Sequence, residues 1–76
     1  MVIGVTMVNV VPGSEKNVYM KIKNLKNVRD VYHVFGEFDF VVIIEASSLS
    51  ELNRTVDEIR EIEGVTKTQT VVGAEI

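Results

Sequence analysis

Two stretches of this chain are apolar on both side-chain parities, and they constrain its fold more than any other feature. In 2–11, Val2, Val8 and Val10 are set against Ile3, Val5, Met7 and Val11; in 38–46, Phe38, Phe40, Val42 and Ile44 are set against Val41 and Ile43. Successive side chains of a strand emerge on opposite faces, so a strand of this composition needs cover on both. The chain has 76 residues, no cysteine and one proline. A domain so small buries only roughly 60% of the surface its unfolded form exposes. No disulfide framework supplements that burial, so the pattern predicts central strands whose second sheet face meets a partner.

The remaining elements follow from local signals. Strand one, about 2–11, is rich in β-branched residues and ends at Pro12-Gly13, where proline removes a donor and glycine relaxes the turn. Ser14 is expected to accept a bond from the first turn of a helix over about 14–25, whose apolar positions are Val18, Ile22 and Leu25. Extended runs follow over 28–35 and 38–46, joined by a short Gly36-Glu37 link suited to a hairpin. Ser48-Leu49-Ser50-Glu51 matches a capping box, and Leu49, Leu52, Val56, Ile59 and Ile62 form one helical stripe. Gly64 is expected to take the left-handed conformation that ends this helix, and strand four runs from Val65 to about Val72.

The order β-α-β-β-α-β is that of an α+β, ferredoxin-like sandwich: one domain over 1–76, with a four-stranded antiparallel sheet and both helices on one face. Its first and third strands are central, which matches the two doubly apolar stretches. The outer strands carry Arg29, Asp30 and His33, and Lys67, Thr68, Gln69 and Thr70, the polar character that discourages open-ended pairing. Two helices cover one face only. The other would show water a broad apolar surface, which predicts a homodimer packed sheet to sheet.

Charge and composition narrow the function classes. Eight Lys plus Arg against eleven Asp plus Glu give a net charge of −3, without the basic excess that holds nucleic-acid phosphates. Without cysteine there is no thiolate chemistry, and one histidine leaves little basis for a transition-metal site; no metal or cofactor is expected. The apolar opening is too short to span a bilayer and has no basic flank, so no membrane association is expected and a cytoplasmic location fits. No nucleophile with an orienting carboxylate is recognisable, so no catalytic residue is assigned. His33 reads as a solvated or interface side chain, and Glu45 as a strand residue reaching the sheet rim. Asp57, Glu58, Glu61 and Glu63 read as a solvated helix face.

Three segments carry a resemblance. Val11-Pro12-Gly13 closes strand one, Gly36-Glu37-Phe38-Asp39 lies at the hairpin, and Gly64-Val65-Thr66-Lys67-Thr68-Gln69-Thr70-Val71-Val72 enters strand four. Pro-Gly after a strand is common. The Gly-x-aromatic-Asp hairpin and the Gly-Val-x-x-Thr-x-Thr entry, about 28 residues apart across a capped helix, are together more specific. Over nearly its whole length the chain resembles the RAM module, the effector-binding domain of Lrp/AsnC transcriptional regulators. The resemblance implies a sheet-to-sheet dimer assembled into a higher oligomer, with a small amino acid bound at contacts between dimers. Family regulators carry a helix-turn-helix domain ahead of this module. Here strand one begins at the first methionine, so the expectation is a stand-alone sensor linked to regulation of amino-acid metabolism. It would not bind DNA directly, and it would act alone or co-assemble with full-length regulators.

By that resemblance Asp39 takes the ligand ammonium, the backbone of Gly36, Glu37 and Phe38 shapes the pocket and binds the carboxylate, and Thr68 and Thr70 add hydroxyl bonds. Read from the residues alone, Asp39 serves equally well to satisfy hairpin backbone groups, and alternating threonines are ordinary strand formers. Two other functions share the fold pattern. ACT-like modules bind amino acids but join through sheet or helix edges. Small dimeric α+β barrel enzymes, such as cofactor-independent monooxygenases or isomerases, would use His33, Tyr19 or Tyr32 in a pocket.

Overall fold

The computed structural model describes residues 1–73. Its order is β1 (Val2–Val10), α1 (Glu15–Lys23), β2 (Val28–His33), β3 (Phe40–Ala46), α2 (Leu49–Arg60) and β4 (Val65–Gly73). The four strands form one sheet in the order β2-β3-β1-β4, with every neighbouring pair antiparallel. The ferredoxin-like expectation holds, with the two doubly apolar strands at the centre.

Element ends differ from expectation where side chains compete for the backbone. β1 stops at Val10 because the Val10 N–H donates to the Asp39 Oδ2 at 2.8 Å and the Val11 N–H donates to the Gly64 carbonyl at 2.8 Å. Ser14 does not cap α1. Its backbone, at φ −98° and ψ 2°, is not extended, and in the tight turn after Pro12 its hydroxyl donates back to the Val11 carbonyl at 2.5 Å. At α2 the Ser48 Oγ accepts from the Glu51 N–H at 3.2 Å. The Glu51 carboxylate lies 3.6 Å from Arg54, so half of the capping box forms. α2 ends at Arg60, and Gly64, at φ +103°, makes the turn into β4 four residues later.

The helix-covered face of the sheet holds Val8, Val10, Phe40, Val42, Ile44 and Ala46, packed against Val18 and Ile22 of α1 and Leu52 and Ile59 of α2. Two polar residues share this core. Thr6 donates or accepts one hydroxyl bond with Thr70 at 2.9 Å. Thr55 donates to the Glu51 carbonyl at 3.1 Å and ties α2 to the α1–β2 connection through Asn27, whose Nδ2 donates to it at 3.3 Å. Leu49, expected on the buried stripe, is half exposed at the first turn, beyond the sheet edge.

The second face is uncovered within one chain. Register sets its side chains in cross-strand rows: Tyr32, Val41, Met7 and Gln69; Asp30, Ile43, Val5 and Val71; Glu45, Ile3 and Gly73. The middle of this surface is apolar. One rim is charged: the Arg29 guanidinium lies 3.0 Å from Glu45 and 3.2 Å from Asp30. The hydrogen bond to Glu45, then that to Asp30, raises the Arg29 pKa, and Glu45 is a rim residue as expected. Among the described residues no helix is long and apolar enough to cross a membrane.

Candidate functional site

β4 is an edge strand paired only on its β1 side, and α2 packs across the sheet without closing over it. A groove of about 620 Å³ remains between them, lined by Val56, Arg60, Val65, Thr66, Lys67, Thr68 and Thr70. Its volume is within the range of small-ligand sites. Thr68 is opposite Val8 and Thr70 opposite Thr6, so both hydroxyls emerge on the helix-covered face, as their shared parity predicts. Thr70 already shares a hydrogen bond with Thr6, which holds its side chain in place, whereas no side-chain bond from Thr68 occurs among the described residues.

The hairpin motif lies on the other side of β1. Gly36 takes φ +125° with open space around it, and the Val34 N–H donates to the Asp39 carbonyl at 2.9 Å to close the loop. The Asp39 N–H donates to the Val8 carbonyl at 2.9 Å, and its Oδ2 accepts from Val10. Asp39 therefore satisfies backbone groups through its N–H and Oδ2, and no bond to its Oδ1 occurs among the described residues. Glu37 is exposed at the tip, and the Phe38 ring lies 5.9 Å from the Lys67 Nζ, a cation–π contact that joins the hairpin to β4.

Gly36, Glu37, Phe38 and Asp39 are thus gathered in one loop, and Thr68 and Thr70 in one groove. Within the sheet the two groups are separated by β1, across which Phe38 reaches Lys67. β1 runs between β3 and β4, so Phe40 and Thr68, both opposite Val8, are two strand spacings apart, roughly 10 Å. Arg60, Val56 and Thr66 complete the groove and were not singled out from the sequence. For Arg60 a signal existed: it follows Val56 by four residues and so shares its helix face.

The residues considered for catalysis are differently disposed. Tyr19 and His33 flank Phe40 in a shallow depression between α1 and β2, where the His33 ring stacks on Phe40 at 4.9 Å. Tyr32, opposite Val41, emerges on the uncovered face. No carboxylate bonds to His33 and no three metal-binding side chains gather among the described residues.

An antiparallel sheet backed by two helices, with a ligand-sized polar groove at one edge and a Gly-x-aromatic-Asp hairpin, defines the class: a small-molecule-binding regulatory domain. The chain belongs to the Lrp/AsnC family, whose ligand binding domain matches residues 2–74. It is 38% identical over 52 residues to the HTH-type transcriptional regulator LysM of Saccharolobus solfataricus, covering 68% of this chain and 37% of that protein. The chain spans about a third of the length of such curated regulators. A 61-residue segment is also 34% identical to a homocitrate synthase of Sulfolobus acidocaldarius, covering 74% of this chain and 13% of that enzyme. Among solved structures, a hypothetical protein of Pyrococcus horikoshii superposes with a TM-score of 0.91 at 27% identity, over 100% of this chain and 93% of that one. The family match decides against the ACT-like alternative.

Proposed function

We propose that this domain is an amino-acid sensor that forms oligomers and carries a regulatory signal without catalysis or DNA binding of its own. The observation that carries the reading is the groove beside β4: it is ligand-sized, and the threonine pair of the family motif lines it together with Arg60, Thr66 and the apolar Val56 and Val65. Hydroxyls at fixed positions and the Asp39 Oδ1 are the donors and acceptors that an ammonium and a carboxylate require. Within one chain β1 lies between the hairpin and the threonines, with Phe40 and Thr68 roughly 10 Å apart, a spacing that favours a site built across copies. A site using both motifs draws them from neighbouring copies, and ligand binding is then coupled to assembly.

Assembly itself follows from the uncovered face. A second copy packed against Val5, Met7, Val41 and Ile43 removes the apolar surface that one chain exposes, with the Arg29, Asp30 and Glu45 group at its rim setting orientation. A net charge of −3 supports action through effector and protein partners, full-length Lrp/AsnC regulators included, rather than through nucleic acid. The match to part of a homocitrate synthase is read as the same module serving as a small part of a larger chain.

A thermal-shift screen against the twenty common amino acids at millimolar concentration, with protein concentration held constant, tests the reading. An effector at about 100 times its Kd adds roughly 2.7 kcal/mol and raises Tm by several degrees. Absence of any shift defeats amino-acid sensing and leaves the domain as an assembly partner.

A further inference from the structure

We propose that the groove between α2 and β4 selects its effector by charge, binding an acidic amino acid through its side-chain carboxylate. This rests on the sensing function above and names the ligand class of the same site. The chain as a whole is acidic, yet the groove is lined by a cationic side chain, Arg60 on the α2 wall, and by no carboxylate, while Lys67, on the opposite parity to Thr68, lends the β4 wall its backbone. Elsewhere the described residues pair their arginines. Arg29 lies within 3.0 Å of Glu45 and 3.2 Å of Asp30, and Arg54 lies 3.6 Å from Glu51. Neither Arg60 nor Lys67 has an acidic side chain within salt-bridge distance among the described residues; the Lys67 Nζ instead lies 5.9 Å from the Phe38 ring.

A guanidinium presents a planar fork of donors that a carboxylate satisfies in two parallel bonds, and an acidic amino acid is the class that brings a second carboxylate besides its α-carboxylate. Beside it, the hydroxyls of Thr66 and Thr68 accept from or donate to whatever the ligand presents. An acidic amino acid places its extra carboxylate against Arg60, and its ammonium and α-carboxylate against neutral hydroxyls and backbone. A lysine or arginine ligand places a further cation beside Arg60, in a wall with no acid to receive it. Discrimination against basic effectors is thus built by repulsion as well as attraction toward acidic ones.

Arg60 also lies in the last turn of α2, where a cation complements the free helix carbonyls. Charge selectivity separates the two roles, because helix stabilisation is indifferent to the ligand supplied. Isothermal titration of the purified protein with L-glutamate, L-glutamine and L-lysine at low ionic strength is the test, repeated with Arg60→Gln and, as a control outside the groove, Arg54→Gln. The parent is expected to bind glutamate at least about tenfold more tightly than glutamine, the scale of a charge-assisted bond, and lysine most weakly. Arg60→Gln should bring the glutamate-to-glutamine ratio close to one; Arg54→Gln should preserve the parental ratio. Glutamine or lysine binding as tightly as glutamate to the parent overturns the charge selectivity and leaves sensing intact. A ratio unchanged in Arg60→Gln overturns the role of Arg60. Binding of no amino acid at all overturns the sensing function together with this inference.

Discussion

Thr70 has two roles to separate, one in stability and one in the groove, and its bond to Thr6 makes the first measurable. Thr6 is fully buried, and its hydroxyl has Thr70 as its one side-chain partner among the described residues, at 2.9 Å. Thr70→Val keeps the β-branched shape that a strand favours but strips the partner from a buried hydroxyl. A buried polar group left unmatched costs about 1–3 kcal/mol. Because Thr70 is only half-buried, the lower half of that range, about 1–2 kcal/mol, is expected. Thr6→Val is the asymmetric counterpart. The surviving Thr70 hydroxyl is reached by water and the new methyl is buried, so the loss should stay under about 1 kcal/mol. With both threonines replaced no polar group is stranded, and the double variant should be more stable than Thr70→Val alone, with a coupling of about 1 kcal/mol. Urea unfolding followed by circular dichroism at one protein concentration measures all four proteins, and each kcal/mol corresponds to about 4–8 °C in Tm for a domain of this size. Equal costs for the two single changes, or simple additivity in the double, would refute the buried pair as described.

The glycines give a second prediction. Gly64 and Gly13 both have positive φ, at +103° and +96°, but an added Cβ at Gly64 would lie 2.8 Å from the Ser14 Oγ and 3.2 Å from the Val18 Cγ2, whereas at Gly13 it meets nothing. Gly13→Ala should cost about 1–2 kcal/mol from backbone strain alone, and Gly64→Ala at least about 1 kcal/mol more from the added crowding, read as the difference in their unfolding midpoints. The uncovered face gives a third. Ile43→Lys places a charge in the middle row of that face, opposite Val5; light scattering coupled to size exclusion is expected to show a dimer for the parent and a monomer for the variant, and a parent that is monomeric, or a variant that stays dimeric, refutes sheet-to-sheet packing.

Much of the fold was legible because its signals are local or periodic. β-branched runs, a serine-glutamate cap before α2 and a proline-glycine stop each act within a few residues, and the double parity of β1 and β3 implied their central place before any pairing was known. The misreadings came from competition for hydrogen bonds, local in one case and long-range in another. Residue type at Ser14 does not show that its hydroxyl turns back to the Val11 carbonyl, three residues earlier, at 2.5 Å instead of capping α1. Nor does the motif around Asp39 show that Val10, 29 residues earlier, takes one of its oxygens. The burial of Thr6 and Thr55 was not read from the sequence; the partners that make it tolerable are contributed by β4 in one case and by the α1–β2 connection in the other.

The same division holds for the site. Sequence alone determined which residue types are available for an amino acid: the Gly36–Asp39 loop, the Thr68 and Thr70 pair on one parity, and the absence of thiol or clustered imidazole chemistry. It also determined that a sheet face would lack cover, since parity is a property of the strand itself. Only the tertiary structure decided that β1 separates the hairpin from the threonines by two strand spacings. It also decided that α2 brings Arg60 to the wall facing Thr68. Strand order and helix packing are set by burial summed over the whole chain, and the distance between two motifs depends on that sum rather than on their spacing in sequence.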